Sequence, residues 1–379
     1  MAGRIKQVFE RDRRIGDILK NIRYLFRYIE INIFFMLKVI NRRIRLNRKI
    51  KKYPDTIQLP ITYHCNFDCV MCGMNKLKNS KDFTCEQLKK ILEDKLFAHV
   101  KSVGINGGEP FLKNNLEEYV DVIVNCLPEL NAISIISNGY LTDIILSKLA
   151  DIKRKCSVKG IKINLSISVD GVNDMQDFHR GKKGAFENAS NTIKQILINP
   201  QKYIDYLDII CTITKYNIAR INEIEVWAES LGINVEYNIA TLNDRIKNED
   251  KSFLIFEDEH AKKLAMEFFY CKYRETQKEK YYAIYLFIRY NKRYSYCSCM
   301  YNEWITVTPD CNIGFCATHS KSLGSGIDES PYDIVNTNTK YLKKLRKKYC
   351  DSCSHYSYVL NEKGLKMLYK DKKANMFMR

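Results

Sequence analysis

Segments with strand-like and helix-like patterns alternate along most of this chain, and that alternation is the feature that most restricts its fold. Short, mostly apolar runs predict six strands, at residues 56–62, 102–106, 132–137, 162–169, 207–214 and 234–239. Helices are predicted between them; one, at 84–97, begins with a capping box of Thr84 and Gln87. This order is typical of parallel βα units. We therefore predict an α/β fold, a partial (βα)6 TIM-like barrel open on one side.

Regions outside the alternation complete the predicted organisation. A basic helical N-terminal segment, residues 1–55, precedes the barrel at 56–245. A helical connector at 246–290 leads to a small cysteine-rich domain at 291–360 and a basic C-terminal tail at 361–379. A chain of 379 residues is long enough for one large domain and one smaller domain.

The N-terminal segment carries many lysines and arginines among aliphatic and aromatic residues at near-helical spacing. Its apolar centre, residues 31–37, is too short to span a bilayer, which takes about 20 apolar residues. Such a helix either packs on the domain that follows or lies on an anionic membrane surface. The formal net charge of +18 also has two interpretations, an anionic partner or a solvated, lysine-rich surface.

Cysteine usage indicates the compartment. The chain has 14 cysteines, and charged residues recur from Arg4 to Arg14 without the apolar stretch of a signal peptide. Clustered thiols without that signal favour metal ligation over disulfides. We therefore expect a cytoplasmic protein, with peripheral membrane contact through the N-terminal helix as one of the two interpretations of that helix.

Three cysteines, Cys65, Cys69 and Cys72, follow the first predicted strand. At this spacing their thiolates can point into one loop, and thiolates are the soft ligands that iron–sulfur clusters select. Three protein ligands leave one iron of a four-iron cluster open to another molecule. The alternatives are a zinc loop or buried thiols, but zinc needs a fourth ligand and His64, next to Cys65, is poorly placed to supply it.

This three-cysteine motif resembles that of the radical S-adenosylmethionine (radical SAM) superfamily. The resemblance implies that Cys65, Cys69 and Cys72 hold a catalytic [4Fe–4S] cluster whose open iron binds the amine and carboxylate of SAM. It also implies reductive cleavage of SAM to a 5′-deoxyadenosyl radical, which abstracts a hydrogen atom from an unactivated C–H bond. The electron would come from an external donor such as flavodoxin or ferredoxin.

A glycine-rich turn, Gly107-Gly108-Glu109-Pro110, follows the second predicted strand, at the edge where parallel barrels bind ligands. Its glycines permit close backbone approach, and Glu109 offers an acceptor for an ammonium group. The turn resembles the Gly-Gly-Glu-Pro motif of the same family, which implies contact with the amino group of SAM.

Other polar residues stand at the ends of later strands. By resemblance, Ser168 and Arg180 contact the ribose and carboxylate of SAM, since an arginine fork can bond both carboxylate oxygens. The alternative for Arg180 is a surface ion pair. Asn138, in a Ser-Asn-Gly turn, and Asn238, in the sixth strand, are weaker cofactor candidates, and His179 is expected to be structural.

A second group of cysteines occupies the C-terminal region and resembles the twitch-type, shortened form of the SPASM domain. That resemblance implies an auxiliary [4Fe–4S] cluster, for which we select Cys299, Cys316, Cys350 and Cys353, with Cys297 as the alternate first ligand. Cys311 stands where the family usually has glycine, so its role is open. The alternative is a zinc site of four cysteines.

These inferences predict a radical SAM enzyme that oxidises, epimerises or cross-links its substrate in peptide modification. The alternative enzyme is a dehydrogenase or epimerase of a sugar or sugar-linked lipid. The alternative of another class is a basic, zinc-stabilised nucleic-acid-binding or scaffold protein. The strand-end motifs disfavour nucleic acid as a partner, because such a protein has no use for them beside the cysteines.

Overall fold

The computed structural model describes residues 18–377, apart from residues 21, 24, 27, 42–49, 78–80 and 356–358 and the side chains of 75 and 375–377. The chain divides into two compact units. One comprises Ile50–Tyr358, and the other comprises Met1–Lys49 with Val359–Arg379.

A nine-stranded sheet, in the order β10-β9-β8-β1-β2-β3-β4-β5-β6, forms the centre of the larger unit. Strands β1 to β6 run parallel to their neighbours. The strands are β1 Thr56–Thr62, β2 Ser102–Gly107, β3 Ala132–Ser137, β4 Lys162–Ser168, β5 Tyr206–Ile213, β6 Val235–Ile239, β7 Ser295–Tyr296, β8 Trp304–Val307, β9 Asn312–Gly314, β10 Gly324–Ser325 and β11 Val359–Leu360.

Helices connect the strands. The described residues of 18–41 are helical and are called α1. The others are α2 Cys85–Leu92, α3 Leu116–Cys126, α4 Thr142–Val158, α5 Asp174–Arg180, α6 Ala185–Ile198, α7 Pro200–Tyr203, α8 Ile221–Ser230, α9 Glu259–Thr276, α10 Glu279–Tyr290, α11 Pro331–Thr337, α12 Thr339–Tyr349 and α13 Glu362–Phe377.

The parallel strands are buried because helices cover the outer face of the sheet. In β1 the side chains of Ile57, Leu59 and Ile61 are fully buried, and they belong to one hydrophobic core with residues of the other strands and helices. All six predicted strands are present, with ends that differ by one residue at most. The predicted α/β class is confirmed.

The predicted helix at 84–97 is shorter than expected. Its capping box is present, since Thr84 Oγ1 accepts from the backbone N of Gln87 and Gln87 Oε1 accepts from the backbone N of Thr84. The helix ends at Leu92, and Asp94 then caps a separate 3-10 turn, Lys95–Phe97, by accepting from the backbone N of Leu96 at 2.8 Å. A capping aspartate inside the predicted helix is the local signal for this break.

Strand β8 extends the sheet beyond β1, a pairing that the sequence did not predict. It runs parallel to β1, with Thr56 opposite Trp304 and Gln58 opposite Thr306, and β9 then pairs with it antiparallel. The cysteine-rich C-terminal region is thereby joined to the barrel through one continuous sheet.

The smaller unit contains α1 and α13. Phe35 and Tyr369 stack with ring centroids 4.4 Å apart, and the Tyr369 hydroxyl hydrogen-bonds to Asn32. Another side of α1 carries an exposed row at three- and four-residue steps, here called the α1 stripe: Ile18, Ile22, Leu25, Ile29, Ile33, Met36 and Ile40. Many of the basic residues predicted for this segment lie outside the described residues. Within the described part, no helix has the length and apolar character needed to cross a membrane.

Candidate active site

A cavity of about 390 Å³ lies at the carboxyl ends of the parallel strands. The loop after β1 brings Cys65, Cys69 and Cys72 to its wall, where strand ends contribute polar groups. Ten of the predicted site residues line it: Cys65, Cys69, Cys72, Gly107, Gly108, Glu109, Asn138, Ser168, Arg180 and Asn238. Pro110 does not line it; it is buried and begins the 3-10 turn Pro110–Leu112.

Gly108 lets the turn after β2 pack directly on the chain that enters the cysteine loop. The backbone N of Gly108 donates to Thr62 O, and that of Glu109 donates to His64 O, both at 2.8 Å. A Cβ on residue 108 would lie 1.9 Å from His64 O, closer than any side chain allows. Glycine at this position is therefore explained by contact between two protein loops, in addition to any approach to a ligand.

Glu109 is held in one orientation by neighbouring donors. Its Oε1 accepts from the backbone N of Phe111 at 3.2 Å and from Ser137 Oγ at 2.9 Å, and its Oε2 accepts from the backbone N of Asn138 at 2.7 Å. Burial raises the pKa of this carboxyl to about 7, even though these hydrogen bonds favour the charged form. The site therefore holds a fixed acidic group that a nearby cation would convert to a carboxylate.

Arg180 forms a buried ion pair, not the surface pair considered above. Its Nη2 lies 2.7 Å from Asp170 Oδ2, and Asp170 is fully buried. The other terminal nitrogen, Nη1, lies 3.9 Å from Cys69 Sγ. Its Nε has no hydrogen-bond partner among the described residues. Arg180 thus keeps an unused donor beside the cysteine loop.

Asp170 holds both Arg180 and His179 in position, and the sequence analysis assigned it no role. Its Oδ1 accepts from the backbone N of Thr212 at 2.7 Å, and its Oδ2 lies 2.9 Å from His179 Nδ1. Burial alone would raise the pKa of Asp170, but the guanidinium of Arg180 and the hydrogen bond with His179 hold this pKa below its usual value. His179 also contacts Thr214 through Nε2 at 2.9 Å and does not line the cavity.

The three loop cysteines are partly or largely shielded from solvent. Burial raises the pKa of Cys65 to about 11 and that of Cys69 to about 12, and it also raises that of Cys72. Free thiols are therefore protonated here, and a metal must displace their protons on binding. Three soft sulfur donors on one cavity wall, with an unpartnered arginine nitrogen beside them, fit a thiolate-bound cluster with an anionic co-ligand.

The C-terminal cysteines converge on a second, small cavity. It is lined by all five candidates, Cys297, Cys299, Cys316, Cys350 and Cys353, together with Arg293, His319 and His355. Cys311 is elsewhere: it occupies a left-handed turn position with φ of 64° and packs in the hydrophobic core. In the described part of the chain, no group of three or more His, Cys, Asp or Glu side chains is arranged to hold a single metal ion.

Helix α10 supplies cavity residues that the sequence analysis missed. Lys280 and Ile284 line the cavity at the carboxyl ends of the strands. Lys280 Nζ lies 3.0 Å from Glu236 Oε2. Every residue from Lys280 to Ile288 is buried. A helix that is apolar on all sides is typical of a buried position, and this signal was available in the sequence.

Comparisons with known proteins identify the barrel. Residues 59–228 match the family model of the radical SAM superfamily. A probable GTP 3′,8-cyclase of Methanococcus maripaludis is 27% identical over 177 residues, which are 45% of this chain and 54% of that protein. The sporulation killing factor maturation protein SkfB of Bacillus subtilis is 28% identical over 145 residues, 38% of this chain and 33% of that protein. The matched region thus spans about half the length, or less, of these curated relatives.

Solved structures share the fold. Native anSMEcpe with bound AdoMet and Cp18Cys peptide superposes with a TM-score of 0.59 at 16% identity, over 86% of this chain and 98% of that chain. Streptococcus suis SuiB bound to the precursor peptide SuiA gives a TM-score of 0.52 at 14% identity, over 79% of this chain and 67% of that chain.

The family model and the fold together confirm the recognition made from Cys65, Cys69 and Cys72. A [4Fe–4S] cluster and SAM, the two cofactors predicted above, are the cofactors of the radical SAM family. Residues 59–228 of this chain are therefore a radical SAM domain.

Proposed function

We propose that this protein is a radical SAM enzyme that abstracts a hydrogen atom from a C–H bond of a peptide. The observation that carries the proposal is the convergence of three loop cysteines, Glu109 and Arg180 on one cavity at the carboxyl ends of the strands. When bound by these residues, the cluster and SAM would supply the chemistry of hydrogen-atom abstraction, with one electron from an external donor and 5′-deoxyadenosine as a product.

The residues of this chain bind and orient in that proposal. Cys65, Cys69 and Cys72 hold the cluster. Glu109 accepts from the ammonium group of SAM, and the unpartnered Nε of Arg180 donates to its carboxylate. The remaining lining residues contact SAM through backbone and polar side chains: Gly107, Gly108, Asn138, Ser168 and Asn238.

One relative and one structural neighbour favour a peptide substrate. SkfB is a maturation protein of sporulation killing factor, and SuiB was solved with a precursor peptide. The cyclase relatives name a nucleotide instead. The fold likeness covers 86% of this chain, more than the residues 59–228 that the family model matches. We therefore propose peptide modification. Analysis of the product distinguishes oxidation, epimerisation and cross-linking.

The C-terminal cysteines are proposed to hold an auxiliary [4Fe–4S] cluster. Cys299, Cys316, Cys350 and Cys353 are the proposed ligands, with Cys297 as the alternate, because all five line one small cavity. A four-thiolate zinc site is the alternative, although the described cysteines are not arranged around a single metal ion. An external one-electron donor such as flavodoxin or ferredoxin belongs to the same proposal.

The α1 stripe supports the membrane interpretation of the N-terminal helix. Its seven apolar side chains are between 43% and 61% exposed, and Lys20, Arg23 and Lys38 lie on the same helix. An amphipathic helix with basic residues binds anionic lipid surfaces through both features. We therefore propose a cytoplasmic enzyme with peripheral membrane contact.

The test is anaerobic reconstitution with iron and sulfide, followed by an assay of 5′-deoxyadenosine with a chemical reductant. We expect 5′-deoxyadenosine from the wild type and none from Cys69→Ala, whereas Cys271→Ala, which changes an exposed cysteine, keeps the activity. Pools of short peptides, GTP and nucleotide sugars are then compared as substrates, by how much each stimulates formation of 5′-deoxyadenosine. Stimulation by peptides with loss of substrate hydrogen supports the proposal, and stimulation by GTP or a sugar alone contradicts the peptide assignment.

A further inference from the structure

A third cavity, of about 780 Å³ and here called the basic cavity, shares Cys316 and His319 with the small C-terminal cysteine cavity. It shares no lining residue with the barrel cavity at the carboxyl ends of the strands, but residues 243–248 contribute to the walls of both. Asn243, Ile246 and Asn248 line the barrel cavity, whereas Asp244, Arg245 and Lys247 line the basic cavity. The two cavities therefore adjoin along this short segment.

Basic side chains dominate the basic cavity, as its name indicates. Five cations line it, Arg245, Lys247, Lys321, Lys344 and Lys348, against two carboxylates. Both carboxylates are already engaged: Asp244 Oδ2 lies 3.2 Å from His319 Nδ1, and Asp310 Oδ2 accepts from Asn312 Nδ2 at 2.8 Å. The cavity therefore carries an excess of positive charge.

Two of the exposed lysines contact aromatic rings at the cavity wall, and no carboxylate neutralises them. Lys321 Nζ lies 5.2 Å from the centroid of the Tyr341 ring, and Lys348 Nζ lies 4.7 Å from that of Tyr349. Within the described residues, no carboxylate lies at ion-pair distance from Lys321, Lys344 or Lys348. Contacts with aromatic rings restrict these charges without cancelling them.

Two buried polar atoms at the same cavity lack partners. Thr306 is 2% exposed, and its Oγ1 has no hydrogen bond to any described residue. Arg245 donates through Nε to Ala317 O at 3.0 Å, but its Nη1 is likewise without a partner among them. Buried polar groups are normally hydrogen-bonded, so these two atoms leave hydrogen-bonding capacity unused in residues that line the basic cavity.

We infer that the basic cavity binds an acidic stretch of the peptide substrate and so positions the adjoining residues in the barrel cavity; the inference rests on the proposed function. Carboxylates satisfy the lysines, Arg245 Nη1 and Thr306 Oγ1 together. A single phosphate group fits less well, because its charge of at most about −2 is smaller than the surplus of the five cations over the two carboxylates.

The experiment uses the reconstituted protein and a fluorescein-labelled oligoglutamate, with an oligoglutamine of the same length as the uncharged probe. Lys344→Gln/Lys348→Gln removes two cavity charges from α12. Lys343→Gln/Lys347→Gln is the matched control, since both residues are exposed on the same helix and do not line the cavity. Binding is measured by anisotropy at an ionic strength of about 0.15 M, where distant surface charges are largely screened.

We expect oligoglutamate binding that weakens about tenfold in the cavity pair and less than about twofold in the control pair. Thr306→Val, which preserves shape, should weaken it about threefold or more, because it removes only the unpartnered hydroxyl. Equal weakening by both lysine pairs, or equal binding of oligoglutamine, would overturn the inference. So would tighter binding of inorganic pyrophosphate than of oligoglutamate, which would assign the cavity to phosphates.

Formation of 5′-deoxyadenosine in the absence of substrate separates this inference from the proposed function. The cavity variants should keep that basal activity, which also shows that they are folded. If the wild type forms 5′-deoxyadenosine but does not bind oligoglutamate, the inference alone fails. If the wild type forms none, the proposed function fails.

Discussion

Arg180 Nη2 and Asp170 Oδ2 lie 2.7 Å apart in the interior of the domain. Asp170, which follows strand β4, is fully buried and accepts a hydrogen bond from the backbone N of Thr212. A buried charge without its partner is strongly unfavourable. The pair therefore fixes the position of Arg180 beside Cys69 while leaving Arg180 Nε free for a ligand.

Asp170→Asn should destabilise the protein by about 3 to 5 kcal/mol, because it leaves the buried guanidinium of Arg180 without its counter-charge. The measurement is denaturant unfolding of the anaerobically reconstituted protein. Asp174→Asn is the matched control: Asp174 is paired with Arg220, but its side chain is 78% exposed, so a loss of at most about 1 kcal/mol is expected. Equal losses in the two variants would show that the buried pair has no special role.

The iron content should separate the two cysteine groups. Wild-type protein reconstituted with iron and sulfide should bind about eight irons, and the Cys65, Cys69 and Cys72→Ala triple variant about four. Cys350→Ala/Cys353→Ala should also retain about four, and it should keep the 5′-deoxyadenosine activity that the triple variant loses.

A control for nonspecific iron is the triple variant Cys85, Cys126 and Cys271→Ala, since none of these cysteines lines either cysteine cavity. Its iron content should equal that of the wild type. About four irons in the wild type and none in the variant of the barrel cysteines would assign the C-terminal cysteines to zinc or to no metal.

The affinity for SAM should depend on pH through Glu109. Burial raises the pKa of this carboxyl to about 7, so it is increasingly neutral as the pH falls below 7 and then cannot pair with an ammonium group. We expect SAM to bind more weakly at pH 6 than at pH 8, by up to about tenfold per unit below 7. Calorimetric titration of SAM checks this, and Glu109→Gln should bind weakly with little pH dependence between these values. An equally strong dependence in Glu109→Gln would rule out this carboxyl as its source.

Binding to anionic vesicles should require the α1 stripe. Replacing Ile22, Ile29 and Ile33 with serine should reduce sedimentation with phosphatidylserine-containing vesicles by about tenfold or more, because these exposed side chains provide the apolar contact. The control replaces Val158, Ile198 and Val226 with serine, since these apolar residues of the larger unit are even more exposed. Wild-type protein that binds no such vesicles would contradict the membrane proposal.

Local sequence patterns predicted a large part of the fold. The strands were found because each is a short apolar run bounded by turn residues, and the capping box of Thr84 and Gln87 depends on neighbouring residues alone. The recognition of the family likewise needed only the spacing of Cys65, Cys69 and Cys72. Ten of the eleven predicted residues of the barrel site lie on one cavity, because the ends of parallel strands meet at one edge.

Contacts between distant segments were decided only by the tertiary structure. The pairing of β8 with β1 joins residues about 250 positions apart, and no local pattern in Trp304–Val307 specifies that neighbour. The burial of Asp170 against Arg180, and the placing of Lys280 in the cavity, arise from the packing of whole elements. The sequence by itself predicted the six parallel strands and the family of the barrel, because both depend on short-range spacing. The tertiary structure decided which charges are buried, paired or left open to a ligand, because burial depends on what the rest of the chain covers.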